Sequence, residues 1–372
     1  MKTYGIICEY NPFHNGHIYQ IEETRKQGAT HIVAVMSGNY VQRGDVAMID
    51  KFARAKTAVA NGVDLVVEMP VVYSLSSANF FARAGVMMLG ALGCVDGISF
   101  GSECGDIELL KNAAMASINA SKPEKIKPLV EQGMSFPQAI QQAIALEYGP
   151  IIASVFDSPN NTLAVEYLKA IKLLNLEFET FTVKRKGAEH DSPDPSEGIA
   201  SASLIRSMIE DGEDITPYVP RSMIPPAIAE CPDVDPALAN FIFRAGIDAK
   251  SLDEFLEITG TKRYTAAKIR RVLLNLYIGT KASDLMIMPP YGRVLAFNDK
   301  GSEILKASKE KSEENKLAIP FDTSLKDIIE LKRPPINRFA DISNRATNLY
   351  GLASRTIRPC AEDFTAKIEI QK

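Results

Sequence analysis

Histidine is scarce, with four in 372 residues, and cysteine is few and scattered. The five cysteines (Cys8, Cys94, Cys104, Cys231 and Cys360) make an odd number with no C-x-x-C spacing. That pattern argues against a disulfide framework and against a cysteine-built zinc site. Four histidines also supply a histidine-built metal site poorly. No apolar run approaches the roughly 20 residues that a membrane span needs. Glu9 interrupts the apolar start that a signal peptide would require. The expectation is a cytoplasmic protein without a membrane. An excess of one charge is missing too: Lys+Arg 42 against Asp+Glu 46 leaves −4. The whole chain therefore carries no nucleic-acid signal, although such an average hides local patches. There is no internal repeat and no low-complexity tract, and nothing calls for a protein partner.

What is present is ordinary globular composition, 46% hydrophobic and 24% charged, over a length that suits two domains. Short apolar runs at Tyr4–Cys8, His31–Met36, Asp64–Glu68, Gly97–Phe100 and Phe178–Val183 read as buried strands. Amphipathic stretches at His17–Lys26, Lys51–Asn61, Ala78–Leu92, Asp106–Ala116 and Thr162–Leu174 read as helices between them. This alternation predicts a doubly wound, Rossmann-type parallel α/β sheet over residues 1–215. Residues 121–150 look like a helical insertion. Pro217, Pro220, Pro225 and Pro226 mark a linker. Residues 216–372 then read as a second, mainly helical domain. Its helices are expected at Pro236–Ala245, Leu252–Ile258, Ala266–Tyr277 and Ala340–Leu352, with a strand near Arg293–Asn298. The charged run Lys306–Lys316 reads as a solvated helix face.

The strongest motif is Gly5-Ile-Ile-Cys-Glu-Tyr-Asn-Pro-Phe-His-Asn-Gly-His17. An apolar strand ends at Cys8, a turn carries Asn11-Pro12, and His14-Asn15-Gly16-His17 opens the first helix. Ligands of open α/β sheets bind at the carboxyl ends of strands. A helix start there offers free N–H groups and positive dipole potential to a phosphate chain. Gly16 lets a nucleotide approach the backbone. His14 and His17 can both donate to phosphate oxygens and stabilise charge developing at an α-phosphate. The plainer reading is a polar pair at a helix start. Half the histidines of the chain at this one strand end favour the nucleotide.

The H-x-G-H element resembles that of the nucleotidyltransferase superfamily. The fuller wording resembles the family of bacterial tRNA(Met) cytidine acetate ligases. The likeness continues in Ser37-Gly-Asn-Tyr-Val-Gln-Arg-Gly-Asp45, Phe100-Gly-Ser-Glu103, Ser158-Pro-Asn-Asn-Thr-Leu163 and Lys262-Arg-Tyr-Thr265. It implies a nucleotidyltransferase-like fold and a ligase that activates acetate with ATP to acetyl-adenylate. The acetyl group would then pass to N4 of the wobble cytidine of elongator tRNA(Met). It also implies ATP contacts from Ile7, Cys8, Glu9, Tyr10, Asn11, Pro12, Phe13, His14, Asn15, Gly16, His17 and Gln20, and from Gly101 and Asn161. Mg2+ is expected with ATP, with no protein ligand to name.

Other segments fit such a site. Ser37, Asn39, Arg43 and Asp45 lie on a second strand-end loop. There Arg43 could neutralise a carboxylate or phosphate and Asp45 could orient it. An ordinary Gly-Asn turn before a helix capped by Asp50 explains the same residues. Asn160 reads as a natural N-cap, which leaves Asn161 for a nucleotide. Arg185, after the fifth strand, reads as a phosphate contact or as part of a solvated basic loop. Ser201 and Ser203 with Arg206 form a second phosphate-binding helix start, similar to the I-S-x-T-x-x-R element of nucleotidyltransferases. Arg206 would stabilise departing pyrophosphate, as a catalytic partner of His14 and His17. No role follows for His190 and the 187–198 loop.

A basic cluster without an acid, Lys262, Arg263, Lys268, Arg270 and Arg271, surrounds Tyr264 and suits RNA phosphate contact plus stacking. A solvated helix face is the alternative there. Two other functions fit the same motifs: a small-molecule adenylyltransferase, and an RNA-binding protein whose nucleotide site only regulates. The length of the second domain weighs against the first. The second predicts no pyrophosphate chemistry.

Overall fold

A computed structural model describes residues 1–185, 201–211, 215, 218–219, 266–353, 358, 361–366 and 368–370. The apolar runs become strands β1 (Thr3–Cys8), β2 (His31–Ser37), β5 (Leu65–Met69), β6 (Gly97–Ser102) and β7 (Glu179–Lys184). Each lies within two residues of its expected bounds. A two-residue hairpin, β3 (Tyr40–Val41) with β4 (Asp45–Val46), was not expected; strands this short leave no periodic signal. With β8 (Gly292–Phe297), β9 (Phe321–Asp322) and β10 (Glu369–Ile370), the central sheet runs β10-β8-β5-β2-β1-β6-β7, and β9 pairs with β8. Strands β5, β2, β1, β6 and β7 are all parallel neighbours.

The order reverses at β1. From β1 the chain moves outward to β2 and β5, then returns to lay β6 on the other side of β1. The loops after β1 and β6 therefore diverge to opposite faces of the sheet and leave a crevice between them. This is where an open α/β sheet takes its ligand.

Helices cover both faces: α1 (Asn15–Lys26), α2 (Lys51–Ala60), α4 (Ala78–Ala91), α5 (Ile107–Ala120) and α9 (Pro159–Leu173), with a single turn, α3 (Val71–Ser74), before α4. Asp50 accepts from the N–H groups of Phe52 and Ala53, both at 3.0 Å, so it caps α2 as expected. Helix α4 sits close on β1 because glycine stands at both contacts. A Cβ on Gly5 would meet Leu89 at 2.4 Å, and one on Gly85 would meet Ile7 at 2.7 Å. The insertion is helical, with α6 (Pro123–Glu131), α7 (Phe136–Tyr148) and α8 (Pro150–Ser154) over a small core of Ile126, Ala139 and Ile144.

Two expectations need correction. The sheet cuts across the division at residue 216. Strand β8 (Gly292–Phe297) pairs antiparallel with β5, and β10 (Glu369–Ile370) pairs with β8. A buried charge cluster fixes this attachment. Lys51 Nζ lies 2.7 Å from Glu68 and 2.5 Å from Asp363, and Arg293 also reaches Asp363. Two cations and two carboxylates balance within the core, as burial of charge demands. The charged run ends its helix, Asp299–Lys311, before residue 316. The remaining described C-terminal helices include Ala266–Ile278, within one residue of its expected bounds, and Pro334–Ala353, which ends where expected but begins well before Ala340. The expected helices Pro236–Ala245 and Leu252–Ile258 lie outside the described residues.

Candidate active site

From Cys8 the chain turns through residues 9–13 into α1. Tyr10 holds a left-handed φ of 48°, unfavourable for a residue with a Cβ by about 1 kcal/mol. Its ring packs edge-on against Phe13 at 4.8 Å and His17 at 4.7 Å, which offsets that strain. Tyr10, Phe13 and His14 are all buried.

His14 is the N-cap of α1. Its Nδ1 accepts from the N–H of Gly16, and the Nδ1 of His17 accepts from the N–H of His14, both at 3.1 Å. This is a capping box built from imidazoles. A ring nitrogen that accepts carries no proton, so each neutral ring bears its hydrogen on Nε2. The rings stack with centroids 3.7 Å apart. Burial, then the charges of Arg185 and Arg206, push the pKa of His14 down to about 3. Burial, then His14 and Arg185, hold His17 well below its usual value. The result is a pair of neutral Nε2–H donors, and neither Nε2 has a partner among the described residues. Nδ1 of each ring builds the helix start, as the reading of a polar pair there has it, and Nε2 is the atom left to meet a ligand.

The second helix start is brought to the first. Helix α10 (Ala202–Asp211) opens with Ser201, whose Oγ accepts from the N–H of Leu204 at 3.1 Å. Arg206 donates from Nη1 to the carbonyl of Asn11 at 2.9 Å and from Nη2 to Ser203 Oγ at 3.1 Å. The cation thus stands against the H-x-G-H loop.

Across the crevice, β6 carries Gly101 beside Arg185. A Cβ at Gly101 would meet Arg185 Cγ at 3.6 Å, ordinary contact, so protein packing alone does not demand glycine there. Gln20 ties α1 to this strand through the carbonyl of Ser99 at 3.2 Å. Asn160 is not the N-cap of α9. Pro159 is the first residue of that helix, Ser158 precedes it, and the carboxylate of Glu103 accepts the N–H groups of Asn160 and Asn161 at 3.2 and 2.7 Å. Asn161 answers by accepting the N–H groups of Glu103 and Cys104 at 2.9 and 3.1 Å. The Asn161 side-chain oxygen therefore holds the loop after β6 beside the crevice. Glu103 was quoted in the motif but given no role. An acid after a strand end, opposite a helix start distant in sequence, gives no local signal.

The loop after β2 is tied to the loop after β1. Glu9 Oε1 accepts the N–H of Gln42 at 2.7 Å, and Asn11 Oδ1 accepts that of Met48 at 2.9 Å. Burial raises the pKa of Glu9, opposed by that hydrogen bond and by Arg206, Arg54 and Arg43. Ser37 is fully buried and its Oγ has no partner among the described residues. Asn39 is buried, with Oδ1 accepting the N–H of Lys51 at 2.9 Å. Arg43 and Asp45 stand exposed on the hairpin.

The helix Ala266–Ile278 packs on the same hairpin. Arg271 donates to the carbonyl of Gln42 at 2.8 Å, and Gly44, at φ 76°, lies against the backbone of Ala267 and Arg271. Arg271 is turned to the hairpin, which departs from the alternative of a solvated helix face. Arg270 is half-buried. Lys268 lies on this helix, while Lys262, Arg263 and the 187–198 loop with His190 fall outside the described residues.

Together these features make a crevice walled by neutral hydrogen-bond donors, two arginines and two helix starts. Such a site binds a polyphosphate and stabilises charge moving onto it.

Comparison with known proteins places the fold in a family. The family model for HIGH Nucleotidyl Transferase matches residues 1–229 and 223–363. A tRNA(Met) cytidine acetate ligase of Alkaliphilus metalliredigens is 35% identical, over 95% of this chain and 94% of its own length. One from Acetivibrio thermocellus is 33% identical over 100% of both. Among solved structures, Thermotoga maritima TmcAL without ligand aligns with a TM-score of 0.86 at 28% identity. That match covers 100% of this chain and 99% of the other. The same protein bound with alpha-thio ATP aligns with a TM-score of 0.84.

Proposed function

We propose, for a chain that belongs to the tRNA(Met) cytidine acetate ligase family within the HIGH nucleotidyltransferases, a specific division of labour in an ATP-dependent acetate ligase. ATP lies along residues 7–17 and Gln20, with its base side toward Gly101 and Asn161. His14 and His17 donate through Nε2 to the α-phosphate region. Arg206, Arg185, Ser201 and Ser203 hold the β- and γ-phosphates. The loop bearing Ser37, Asn39, Arg43 and Asp45 receives acetate.

An acetate oxygen attacks the α-phosphorus, forming the acyl–phosphate bond as the bond to the bridging oxygen breaks and pyrophosphate leaves. The donors named above receive the charge that moves onto the phosphate oxygens. The enzyme supplies position and charge stabilisation and needs no covalent nucleophile. In the second step the N4 amine of the wobble cytidine attacks the acetyl carbonyl carbon, AMP departs and the amine loses a proton. The cytidine must be unstacked to reach the adenylate, as exposed anticodon-loop bases can be. Lys262, Arg263, Lys268, Arg270 and Arg271 would carry the tRNA. Mg2+ would arrive on the triphosphate. Among the described residues no cluster of three or more His, Cys, Asp or Glu is placed to hold a metal ion. A cytoplasmic location follows from a tRNA substrate.

The observation that carries this reading is the imidazole capping box, which presents two neutral Nε2–H donors at a helix start facing Arg206. The test is incubation with ATP, radiolabelled acetate and total tRNA, followed by nucleoside analysis. Label in N4-acetylcytidine is expected. Transfer of AMP to a small product without acetate incorporation would overturn it.

A further inference from the structure

Arg54, on α2, is fully buried, and among the described residues no carboxylate lies within ion-pair distance of it. Its partners are main-chain carbonyls. Nε donates to Ile49 at 2.8 Å, Nη1 to Glu9 at 2.5 Å and to Ser37 at 3.2 Å, and Nη2 to Gly38. Burial lowers its pKa, opposed by Tyr350, Asp50, Cys8 and Glu9 at longer range, and a guanidinium stays charged in any case.

The identity of these carbonyls matters. Glu9 follows β1 and opens the loop to His14 and His17. Ser37 ends β2, and Gly38 opens the loop to Asn39 and Arg43. Strands β1 and β2 are parallel neighbours, with Cys8 opposite Met36. Where a parallel ladder stops, carbonyls at the strand ends lose their N–H partners and need other donors. One planar guanidinium meets both sets from a fixed fork. Lysine, whose three donors share one nitrogen, cannot reproduce the spread of that fork across both sets.

We infer that Arg54 is a positioning residue that sets the spacing between the nucleotide loop after β1 and the carboxylate loop after β2. The inference rests on the proposed placement of acetate at the second loop. Adenylate formation brings a carboxylate oxygen to the α-phosphorus, and a misplacement of about 1 Å at such a centre lowers rate by roughly a hundredfold. Arg54 touches neither substrate and acts through the two carbonyl sets.

The test is acetate-dependent exchange of pyrophosphate into ATP, by the full chain and by Arg54→Lys, with thermal melting as the check on folding. Arg54→Lys should keep KM for ATP within about threefold, because the capping box and Arg206 remain. Its kcat should fall at least tenfold, with KM for acetate raised. Its preference for acetate over propionate should also shrink, since a loosened second loop admits the longer acid. Full kcat and unchanged acid preference in folded Arg54→Lys would overturn the inference. A lower melting temperature with unchanged kcat per folded molecule would do so too. Should Arg54→Lys fail to fold, the unaltered protein decides. ATP alone should slow hydrogen exchange in residues 9–17 and also in residues 37–44, and protection confined to the first segment would overturn the inference. If the unaltered enzyme shows no acetate-dependent exchange, the acetate ligase reading fails, and the spacing role fails with it.

Discussion

Glu103 and Asn161 hold each other from both ends. The carboxylate of Glu103 accepts the first free N–H groups of α9, at 3.2 and 2.7 Å, and the amide oxygen of Asn161 accepts two N–H groups of the loop after β6. Each side chain caps the main chain of the other, so the loop that follows Gly101 is fixed to a helix start 57 residues further along. Asn161→Ala leaves two loop N–H groups unpaired, an effect of about 1–3 kcal/mol. The expected outcome is ATP binding weakened roughly tenfold and a lower melting temperature, read by calorimetry. Unchanged affinity would separate the clamp from the nucleotide site.

The histidine pair predicts an unusual pH dependence. Burial lowers the pKa of His14 to about 3 and holds His17 well below its ordinary value. Neither ring changes charge in the folded protein near neutrality, so neither should give an inflection in kcat between pH 5 and 8. In the unfolded chain both take up a proton below about pH 6.5. The unfolded state then binds more protons, so stability is full above that pH and falls as the pH drops below it. His14→Asn should show a shallower loss of melting temperature from pH 7 to pH 4. An equally steep loss would mean that His14 is not held neutral.

The same variant should be slow. Loss of one preorganised donor raises a barrier by about 3 kcal/mol, on the order of a hundredfold in rate. Because His14 also caps α1, His14→Ala should melt lower as well as react more slowly, whereas His14→Asn, with a side chain that caps helices well, should mainly be slow. Acetate-dependent pyrophosphate exchange beside thermal melts distinguishes the two. Wild-type exchange in either variant would remove His14 from catalysis.

Gly44 predicts a test of the contact between the hairpin and the helix Ala266–Ile278. A Cβ there would lie 2.6 Å from the nitrogen of Arg271 and 2.8 Å from the carbonyl oxygen of Ala267, at a φ of 76°. Both neighbours are backbone and cannot turn aside. Gly44→Ala should therefore destabilise the chain by at least about 1 kcal/mol, measured by denaturant unfolding. A neutral effect would mean that this contact is absent in solution.

Arg270 separates RNA binding from activation. Arg271 is occupied by the carbonyl of Gln42, so Arg270→Ala alone is the cleaner probe of the basic helix. It should weaken tRNA binding and reduce the salt slope by about one, while acetyl-adenylate still forms at close to the normal rate. Filter binding at several salt concentrations measures the first and a tRNA-free exchange assay the second. An unchanged slope would take Arg270 out of the interface.

Much of this protein is local and therefore legible in its sequence. The parallel strands are continuous apolar runs buried on both faces, and β1, β2, β5, β6 and β7 could be placed within two residues. His14 and His17 mark the capped start of α1 because the residues that make it are adjacent in the chain. The Asp50 cap is local for the same reason. Other relationships join residues far apart, and nothing in either partner's neighbourhood points to the other. Glu103 finds Asn161, Arg206 finds the carbonyl of Asn11, and Glu68 and Asp363 together neutralise Lys51 and Arg293. The C-terminal strand β8 joined the first sheet for a comparable reason, since the free side of β5 accepts a strand from any part of the chain. Sequence alone determined the order of elements and the chemical character of the site. Tertiary structure decided the tautomers of His14 and His17, the partners of the buried charges Lys51, Arg54 and Arg293 and the spacing of the two loops, because those depend on which carbonyls, carboxylates and N–H groups meet once water is excluded.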